Sequence, residues 1–367
     1  MSIPPNQMMA KILRTMTRAP ARIKRNVIKS IHSMISKTIL GQYDLGVIKK
    51  IAPVSAGLVH DTFAIDASSG KYIIQRLHPV LASKAIAKDF LHVTRFLKAQ
   101  GFPTPDCILT KNGDVLVIDG AHRWRLQTRL PGKTVEVIKD KAMARAAGEM
   151  YARFHKVLDA FPYTFGSTKI LHQTEKIYEK FLRTIEKHDV TEVKEEVDFL
   201  RCELPKYFLP ARLPMRVIHG DPKISNILFD SKGRAKAIID LDTCNRRPLL
   251  VELGDAFRSW CGGVEDDPKN TFSLPMFRAA WVGYKKGAGD MMTKSELQHV
   301  PKAIGTITLE LAARFLTDYF DDNYFGWDKS RYESRRAHNL ARCRGQIAEF
   351  IDYKKKLSSI KKVVGLK

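Results

Sequence analysis

Apolar residues change their spacing near residue 130, which separates a strand-rich first part of the chain from a helical second part. In the first part, short apolar stretches rich in β-branched and aromatic residues predict strands. These strands are expected near 45–54, 59–66, 71–77, 107–110, 114–118 and 122–130. Residues 83–100 have helical spacing, and we expect this helix to begin near Ser83 and to end at Gly101.

The second part, residues 134–360, has mainly helical spacing, which is strongest over 139–159 and 305–320. One short strand-like segment interrupts it between 215 and 241. The sequence therefore predicts an α+β fold of about two domains. We divide the chain into a basic N-terminal extension, a β-rich domain, a helical domain and a basic tail, at 1–43, 44–131, 132–353 and 354–367.

The formal net charge of +23 is concentrated at the two ends of the chain. Residues 1–43 contain eight basic residues and no acidic one, and residues 354–367 contain six lysines and no acidic one. The two ends thus carry 14 of the 23 excess positive charges. A groove for nucleic acid would place the excess on the folded body, so we expect no nucleic-acid partner.

Two features of the sequence bear on the cellular compartment of the protein. No stretch of about 18 apolar residues is present, so we expect no transmembrane helix. The five cysteines are scattered, without the spacing of a metal site or a disulfide framework, which favours a reducing compartment. We therefore expect a cytoplasmic protein, and the sequence leaves its oligomeric state open.

Residues 22–40 have the pattern of a basic amphipathic helix, because apolar residues such as Ile31 and Ile35 recur at steps of three and four between lysines and arginines. Three roles are open for this segment: contact with an anionic membrane surface, an organelle presequence, or packing on the protein's own body. In the first two cases, deletion of residues 1–40 should spare catalysis.

The segment between 216 and 242 carries the residues with the clearest chemistry. An apolar run leads into His219-Gly220-Asp221, Asn226 follows, and a third apolar run ends at Asp240. Transfer of a phosphoryl group needs a carboxylate that accepts the proton of the attacking hydroxyl, and oxygen ligands for Mg²⁺. This spacing therefore predicts Asp221 as the catalytic base and Asn226 and Asp240 as metal ligands.

These residues resemble the corresponding motif of the aminoglycoside phosphotransferase / choline kinase superfamily. The resemblance covers roughly residues 44–350 and implies a two-lobed, protein-kinase-like fold, with a β-rich N-lobe and a mainly helical C-lobe. It also implies ATP and Mg²⁺ as cofactors and a hydroxyl of a small molecule as the acceptor.

Further motifs are similar to the N-acetylhexosamine kinase-like branch of that superfamily, which implies an amino sugar as the acceptor. They include Ile74-Gln75-Arg76-Leu77, Trp124-Arg125, Asp240-Leu241-Asp242-Thr243, Gly254-Asp255-Ala256-Phe257-Arg258 and Arg314-Phe315-Leu316-Thr317-Asp318-Tyr319. Two alternatives remain. One is a kinase of the same fold for an aminoglycoside, choline, homoserine or methylthioribose, and the other is a catalytically silent module that binds a partner or a membrane.

Four residues are candidates for the nucleotide site. Arg76, at the end of an apolar run, is the candidate cation over the phosphates, and Asp89 is its candidate partner or a solvated helix residue. Gly57 is the candidate turn of the phosphate-covering loop, as the resemblance implies. Lys223 is expected either to stabilise the γ-phosphate or to be solvated.

The acceptor site has four weaker candidates. Asp242 is expected to share the metal or to orient its loop, and Asp255 either to bind the substrate or to form a local ion pair with Arg258. Trp124 and Arg314 are candidate sugar contacts, with core packing as the alternative.

Overall fold

A computed structural model describes residues 35–54, 60–167 and 171–366. Contacts group the described residues into two units. The first holds those up to Gly132, together with 162–167 and Ile239–Asp242. The second holds Lys133–Phe161, residues 171–238 and those from Thr243 onward.

Strands dominate the first unit and helices the second. The strands are β1 Ile48–Pro53, β2 Asp61–Ala67, β3 Gly70–Arg76, β4 Cys107–Ile108, β5 Val117–Asp119, β6 His122–Thr128, β7 Met215–Ile218, β8 Ile227–Phe229, β9 Ala235–Ile238 and β10 Asn245–Pro248. The helices are α1 Lys37–Gly41, α2 Lys84–Ala99, α3 Lys141–Asp159, α4 Thr174–Ile185, α5 Lys194–Glu203, α6 Leu249–Cys261, α7 Leu274–Ala288, α8 Lys294–Asp321, α9 Arg335–Lys355 and α10 Leu357–Val364. The predicted α+β class is confirmed.

The first unit is built on an antiparallel sheet of six strands in the order β1-β2-β3-β6-β4, with β5 paired to β6. Because successive side chains of a strand point to opposite faces, the two faces have different composition. Phe63, Ile65, Ile74 and Leu126 are buried in an apolar core on one face. The other face of β6 carries Arg125, whose guanidinium lies 3.6 Å from the centre of the Phe90 ring on α2. The sheet therefore buries a charged side chain beneath this helix.

The segment before β1 belongs to the apolar core of the first unit. Ile35 and Ile39 are 2% and 1% exposed, and they pack in the same cluster as Tyr43. The helix begins only at Lys37, because the Ser36 side chain caps it. Most of the predicted helix over 22–40 lies outside the described residues. In its described portion, the apolar side chains pack on the protein's own body.

Two N-terminal truncations are expected to differ in stability. Deletion of residues 1–43 removes Ile35, Ile39 and Tyr43 from the core, and should lower the free energy of unfolding by about 3 kcal/mol or more. Deletion of residues 1–34 leaves these side chains in place and serves as the control. Denaturation in urea measures the difference, and equal unfolding midpoints for the two truncated proteins would contradict the packing role.

The second unit contains two small antiparallel sheets among its helices. Strand β7 pairs with β10, and β8 pairs with β9. Helix α8 is 28 residues long and starts with a capping box formed by Thr293 and Glu296. It packs against α4, α6 and α9. Helix α6, on which α8 packs, also contacts β7 and β10 of the first small sheet.

Three predicted elements differ from the observed ones. The predicted turn near residue 112 is present, since the Thr110 amide bonds to the Asp114 carbonyl at 2.9 Å. The strands on either side of it, however, pair with β6 and not with each other. Helix α8 begins at Lys294, upstream of the predicted 305, because its capping box lies there. Strand β10 was missed, because its sequence Asn-Arg-Arg-Pro has no apolar alternation.

Candidate active site

The loop His219-Gly220-Asp221 follows β7 directly and is held by a buried carboxylate. Glu252, in the first turn of α6, is 1% exposed. It accepts hydrogen bonds from the backbone amides of His219 and Gly220, at 2.9 and 2.8 Å. His155 on α3 lies 3.1 Å from the same carboxylate through Nε2. The backbone of the loop is thus fixed by helices that come before and after it in the sequence.

Gly220 is required at its position for two reasons. Its φ of +84° lies in the left-handed region, which side chains other than glycine rarely adopt. A Cβ atom there would also lie 2.5 Å from the carbonyl oxygen of Thr243. The Thr243 hydroxyl in turn donates to the His219 carbonyl at 2.8 Å. This close contact leaves room for no side chain just before Asp221.

Asp221 presents a partly exposed carboxylate, which is what a base that meets a substrate requires. Its side chain is 29% exposed, and Lys223 Nζ donates to Asp221 Oδ2 at 2.7 Å. Asn226 Nδ2 donates to the Asp221 carbonyl at 2.8 Å. The indole of Trp260 donates to the Pro222 carbonyl at 2.8 Å. Asp221, Lys223 and Asn226 are therefore brought together in the second unit, as their spacing predicted.

Asp240 and Asp242 belong to the first unit and have distinct environments. Asp240 has a φ of +65°, an uncommon conformation for a residue other than glycine. A short 3₁₀ turn, Leu241–Thr243, follows it. The backbone therefore turns at Asp240 and is not extended here, and a carboxylate oxygen of Asp240 still lies within 4.8 Å of one of Asp242.

Asp242 forms a buried ion pair with Arg125 of β6. Its two carboxylate oxygens accept from Arg125 Nη1 and Nη2 at 2.5 and 2.7 Å, and Gln75 accepts a further bond from Nη2 at 2.9 Å. Burial raises the pKa of Asp242, but the charge and hydrogen bonds of Arg125 outweigh this effect and hold the pKa below its usual range. Asp242 therefore fastens the segment after β9 to the sheet of the first unit.

Among the described residues, one group of side chains has ligand atoms close enough for a metal ion. One ligand atom from each of His60, Asp240 and Asp242 lies within 4.8 Å of the other two. Both oxygens of Asp242 are used by Arg125. His60 Nδ1 accepts from the His78 amide at 3.0 Å, so Nε2 carries the proton of the neutral ring and is no ligand. Two of the three members of this group, His60 and Asp242, are thus engaged by protein partners.

The side chains of Asn226, in the second unit, and of Asp240, in the first, each have the chemistry that Mg²⁺ prefers. The amide nitrogen of Asn226 is used within its loop, so a cation would meet its oxygen. Mg²⁺ takes oxygen ligands and is held by one or two protein side chains, with phosphate and water completing its shell. An amide oxygen and a carboxylate match that preference.

A second polar cluster lies in the second unit around His172. Its Nδ1 is 2.7 Å from Glu310, and its Nε2 is 3.7 Å from Asp255. Burial lowers the pKa of His172, but the two carboxylates outweigh it and raise the pKa to about 9. Asp255 also pairs with Arg258 at 2.7 Å, as one of the sequence alternatives predicted. His172 is therefore a cation near neutral pH.

The predicted pair of Arg76 with Asp89 is absent from the described residues. Arg76 Nε donates to Asp61 on the neighbouring strand at 2.7 Å. Asp89 accepts from the Tyr163 hydroxyl and from the amides of Gly166 and Ser167, at 2.7, 2.9 and 2.8 Å. Helix α2 thus directs this carboxylate to the loop at 163–167. Gly57 lies outside the described residues.

The candidate sugar contacts have other partners in the structure. Trp124 is 1% exposed and packs beside Phe63 in the sheet core, as the alternative of core packing predicted. Arg314 on α8 lies over the rings of Tyr324 and Phe325, with its guanidinium 5.7 and 5.4 Å from their centres. Packing thus accounts for the contacts of both side chains.

Within the part of the chain that the structure describes, no helix is both long and apolar enough to cross a membrane.

Two bacterial homoserine kinases are similar to this chain in sequence over more than half of its length. A homoserine kinase of Zymomonas mobilis subsp. mobilis is 26% identical over 227 residues, which cover 61% of this chain and 68% of that protein. A homoserine kinase of a Caulobacter species is 24% identical over 250 residues, which cover 67% of this chain and 75% of that protein.

Solved structures share the fold at lower identity. A microcompartment-associated aminopropanol kinase superposes with a TM-score of 0.60 at 15% identity, covering 91% of this chain and 99% of that chain. An amicoumacin kinase, solved in complex with AMP-PNP, Ca²⁺ and Ami, gives a TM-score of 0.59 at 14% identity, covering 92% of this chain and 98% of that chain. The protein-kinase-like fold is therefore confirmed. The model of the phosphotransferase enzyme family (APH) matches residues 50–279, and the chain belongs to this family.

Proposed function

We propose that this phosphotransferase is an ATP-dependent kinase of a small-molecule alcohol, with Asp221 as the catalytic base. The observation that carries the proposal is the partly exposed Asp221 carboxylate on a loop whose backbone is fixed by Glu252, Thr243 and Asn226. A base on such a loop keeps its position while the acceptor hydroxyl reacts. The amicoumacin kinase bound to AMP-PNP and Ca²⁺ supports an adenine nucleotide with a divalent cation.

In the proposed reaction, Asp221 accepts the proton of the acceptor hydroxyl as its oxygen attacks the γ-phosphorus of ATP. A new P–O bond forms to the acceptor, the bond to the β-phosphate oxygen breaks, and ADP leaves. When bound by Asn226 and Asp240, Mg²⁺ would neutralise charge on the phosphates. Lys223 would stabilise the transferred group, and Arg76 would contact the phosphates of the nucleotide.

The acceptor has two candidates. Eight relatives at 20% to 26% identity are homoserine kinases, which favours an amino acid with a hydroxyl group as the acceptor. The motifs shared with the N-acetylhexosamine kinase-like branch favour an amino sugar. The burial of Trp124 removes one of the aromatic faces on which the sugar hypothesis relied. We therefore place the amino-acid acceptor first.

A panel of acceptors tests the proposed function. The full-length protein is incubated with ATP, Mg²⁺ and either L-homoserine, N-acetylglucosamine, N-acetylgalactosamine, aminopropanol, choline or kanamycin. We expect one class of acceptor to stimulate ADP release, with the phosphorylated position read by phosphorus–proton NMR. Nucleotide binding without transfer to any acceptor would instead favour a silent binding module.

A further inference from the structure

An open groove of about 510 Å³ lies in the second unit, between the start of α8 and the end of α10. We call it the Lys361 groove. The residues that line it are Lys294, Leu297, Gln298, His299, Lys361 and Leu366. A space of this size has room for a bound molecule. The two helices are far apart in sequence, so the fold brings the lysines of the groove together.

The wall of the groove that α8 provides is one face of that helix. The capping box of Thr293 and Glu296 fixes the first turn of α8. Leu297 and Gln298 follow Lys294 at three and four positions, so the three side chains lie on the same side of the helix. The position of Lys294 is thus set by the cap, although its side chain is exposed.

The other wall is the end of α10, which is fixed by packing and by its last turn. Ile360 is fully buried and attaches this helix, which packs against α7, α8 and α9. Gly365 follows the helix with a φ of +94°, in the left-handed region. The Leu366 amide then donates to the Lys361 carbonyl at 2.9 Å. This turn holds Leu366 beside Lys361.

The lysines of the groove differ from their neighbours in their electrostatic partners. Lys286, Lys354 and Lys356, on or next to helices that pack against α10, are held by carboxylates. In the described part of the chain, Lys294 and Lys361 form no ion pair, and both side chains are exposed. Their charges are therefore available to a partner from outside the chain.

None of the described residues that line the groove is acidic. Helices α7 and α10 pack together, and neither contains an acidic residue. Glu296 of α8 is buried and paired with Arg216. The exposed Asp290, in the loop before α8, is not part of the groove wall. The potential in the groove is therefore positive, and its charge is complementary to an anion.

Apolar side chains are partly exposed beside these lysines. Leu297 and Leu366 line the groove, and Val363 and Val364 are partly exposed on the last turn of α10. Lysines next to exposed apolar side chains are typical of helices that lie in a lipid interface. The lysines there meet the phosphate groups, and the apolar side chains enter the boundary with the acyl chains. A soluble anion would use the lysines alone, so the combination favours a lipid surface.

We propose that the Lys361 groove and the end of α10 bind an anionic membrane surface. Lipid phosphates lie against Lys294 and Lys361, and Leu366 enters the boundary between the headgroups and the acyl chains. This surface belongs to the second unit and is distinct from the N-terminal segment, whose role stays open. The proposal goes beyond the kinase function and does not depend on it.

Binding of the full-length protein to vesicles tests the proposal. Vesicles of phosphatidylcholine alone are compared with vesicles of an equimolar mixture of phosphatidylcholine and phosphatidylserine, and flotation separates bound from free protein. We expect the wild-type protein to bind the mixed vesicles and to bind those of phosphatidylcholine much less. Added salt should release it, because salt screens the attraction between the lysines and the lipid surface.

The double variant Lys294→Gln with Lys361→Gln removes both lysines of the groove. We expect its affinity for the mixed vesicles to fall about 10- to 30-fold, as for two lysines at an anionic lipid surface. The matched control is Lys49→Gln with Lys50→Gln, which makes the same change of net charge at two exposed positions of β1. The control should bind as the wild-type protein does, and urea denaturation checks that both variants are folded.

The variant Leu366→Ser distinguishes a lipid surface from a soluble polyanion. It keeps every lysine, so its retention on immobilised heparin should equal that of the wild-type protein. Its affinity for the mixed vesicles should fall about 3- to 10-fold, because less apolar surface enters the interface. Ile118→Ser makes the same kind of change at a side chain of β5 that is 55% exposed, and serves as the control.

Three results would overturn the inference. One is a wild-type protein that does not bind the mixed vesicles, even if it binds heparin, which would assign the groove to a soluble polyanion. Another is a folded double variant with unchanged affinity, which would assign vesicle binding to other residues, such as the basic segment 1–34. The third is equal vesicle binding by Leu366→Ser and the wild-type protein, which decides the matter if the double variant does not fold. None of these results bears on the kinase proposal, which the panel of acceptors tests separately.

Discussion

Replacement of Asp221 by asparagine is expected to lower kcat by about 10²- to 10⁴-fold, the usual contribution of a general base. The KM for ATP should be nearly unchanged, because the amide keeps the shape of the carboxylate and the loop is held through its backbone. Asparagine has no carboxylate to accept the proton of the acceptor hydroxyl. Steady-state assays of ADP release with the best acceptor of the panel measure both constants.

The matched control for this variant is Asp230→Asn. Asp230 lies in the turn between β8 and β9 and accepts hydrogen bonds from the amides of Lys232 and Arg234, which an asparagine oxygen can also accept. We expect this variant to keep the wild-type kcat. Wild-type turnover by Asp221→Asn would show that another group accepts the proton, or that none is needed.

The position of Asp221 depends on a residue that the motif does not contain. Glu252 binds the two amides that precede Asp221, and His155 binds Glu252 from α3. His155 also lies 2.9 Å from the Tyr284 hydroxyl of α7 through Nδ1. The loop is thus connected to three helices of the second unit. The residues of this motif are close together in sequence, but parts of the chain distant in sequence fix its backbone.

The sequence predicted the features that depend on residues close together along the chain. The α+β class, helices α2 and α3, and the grouping of Asp221, Lys223 and Asn226 followed from periodicity and spacing. Their prediction was feasible because residues a few positions apart on one loop cannot lie far apart. The spacing of apolar residues likewise reports burial directly.

The sequence could not predict pairs whose members are far apart along the chain. Arg125 and Asp242 are separated by 117 positions, and His172 and Glu310 by 138. Asp89 was assigned to Arg76 because it is the only carboxylate of its helix, but the structure directs it to the loop at 163–167. A buried arginine on β6 had one signal in the sequence, a charge between the apolar residues Trp124 and Leu126.

Replacement of Arg125 by methionine is expected to lower the free energy of unfolding by about 3 to 5 kcal/mol. Both members of the pair with Asp242 have side chains only 1% exposed, so the variant leaves a carboxylate buried without its counter-charge. The exposed pair of Arg129 with Asp66, 3.2 Å apart in the same unit, provides the control. Arg129→Met should cost about 1 kcal/mol or less, because water screens that pair.

The double variant Arg125→Met with Asp242→Leu distinguishes two roles of the ion pair. One is its contribution to the stability of the protein, and the other is the positioning of the segment that carries Asp240. Apolar side chains of similar size commonly replace a buried ion pair without loss of stability. The double variant should therefore unfold at a urea concentration close to the wild-type midpoint. Activity should stay low, since the segment that carries Asp240 no longer has its hydrogen bonds to the sheet. A double variant that regains both stability and turnover would show that the pair serves folding alone. One that stays as unstable as Arg125→Met would show that the pair itself, and not the removal of an unpaired charge, stabilises the first unit.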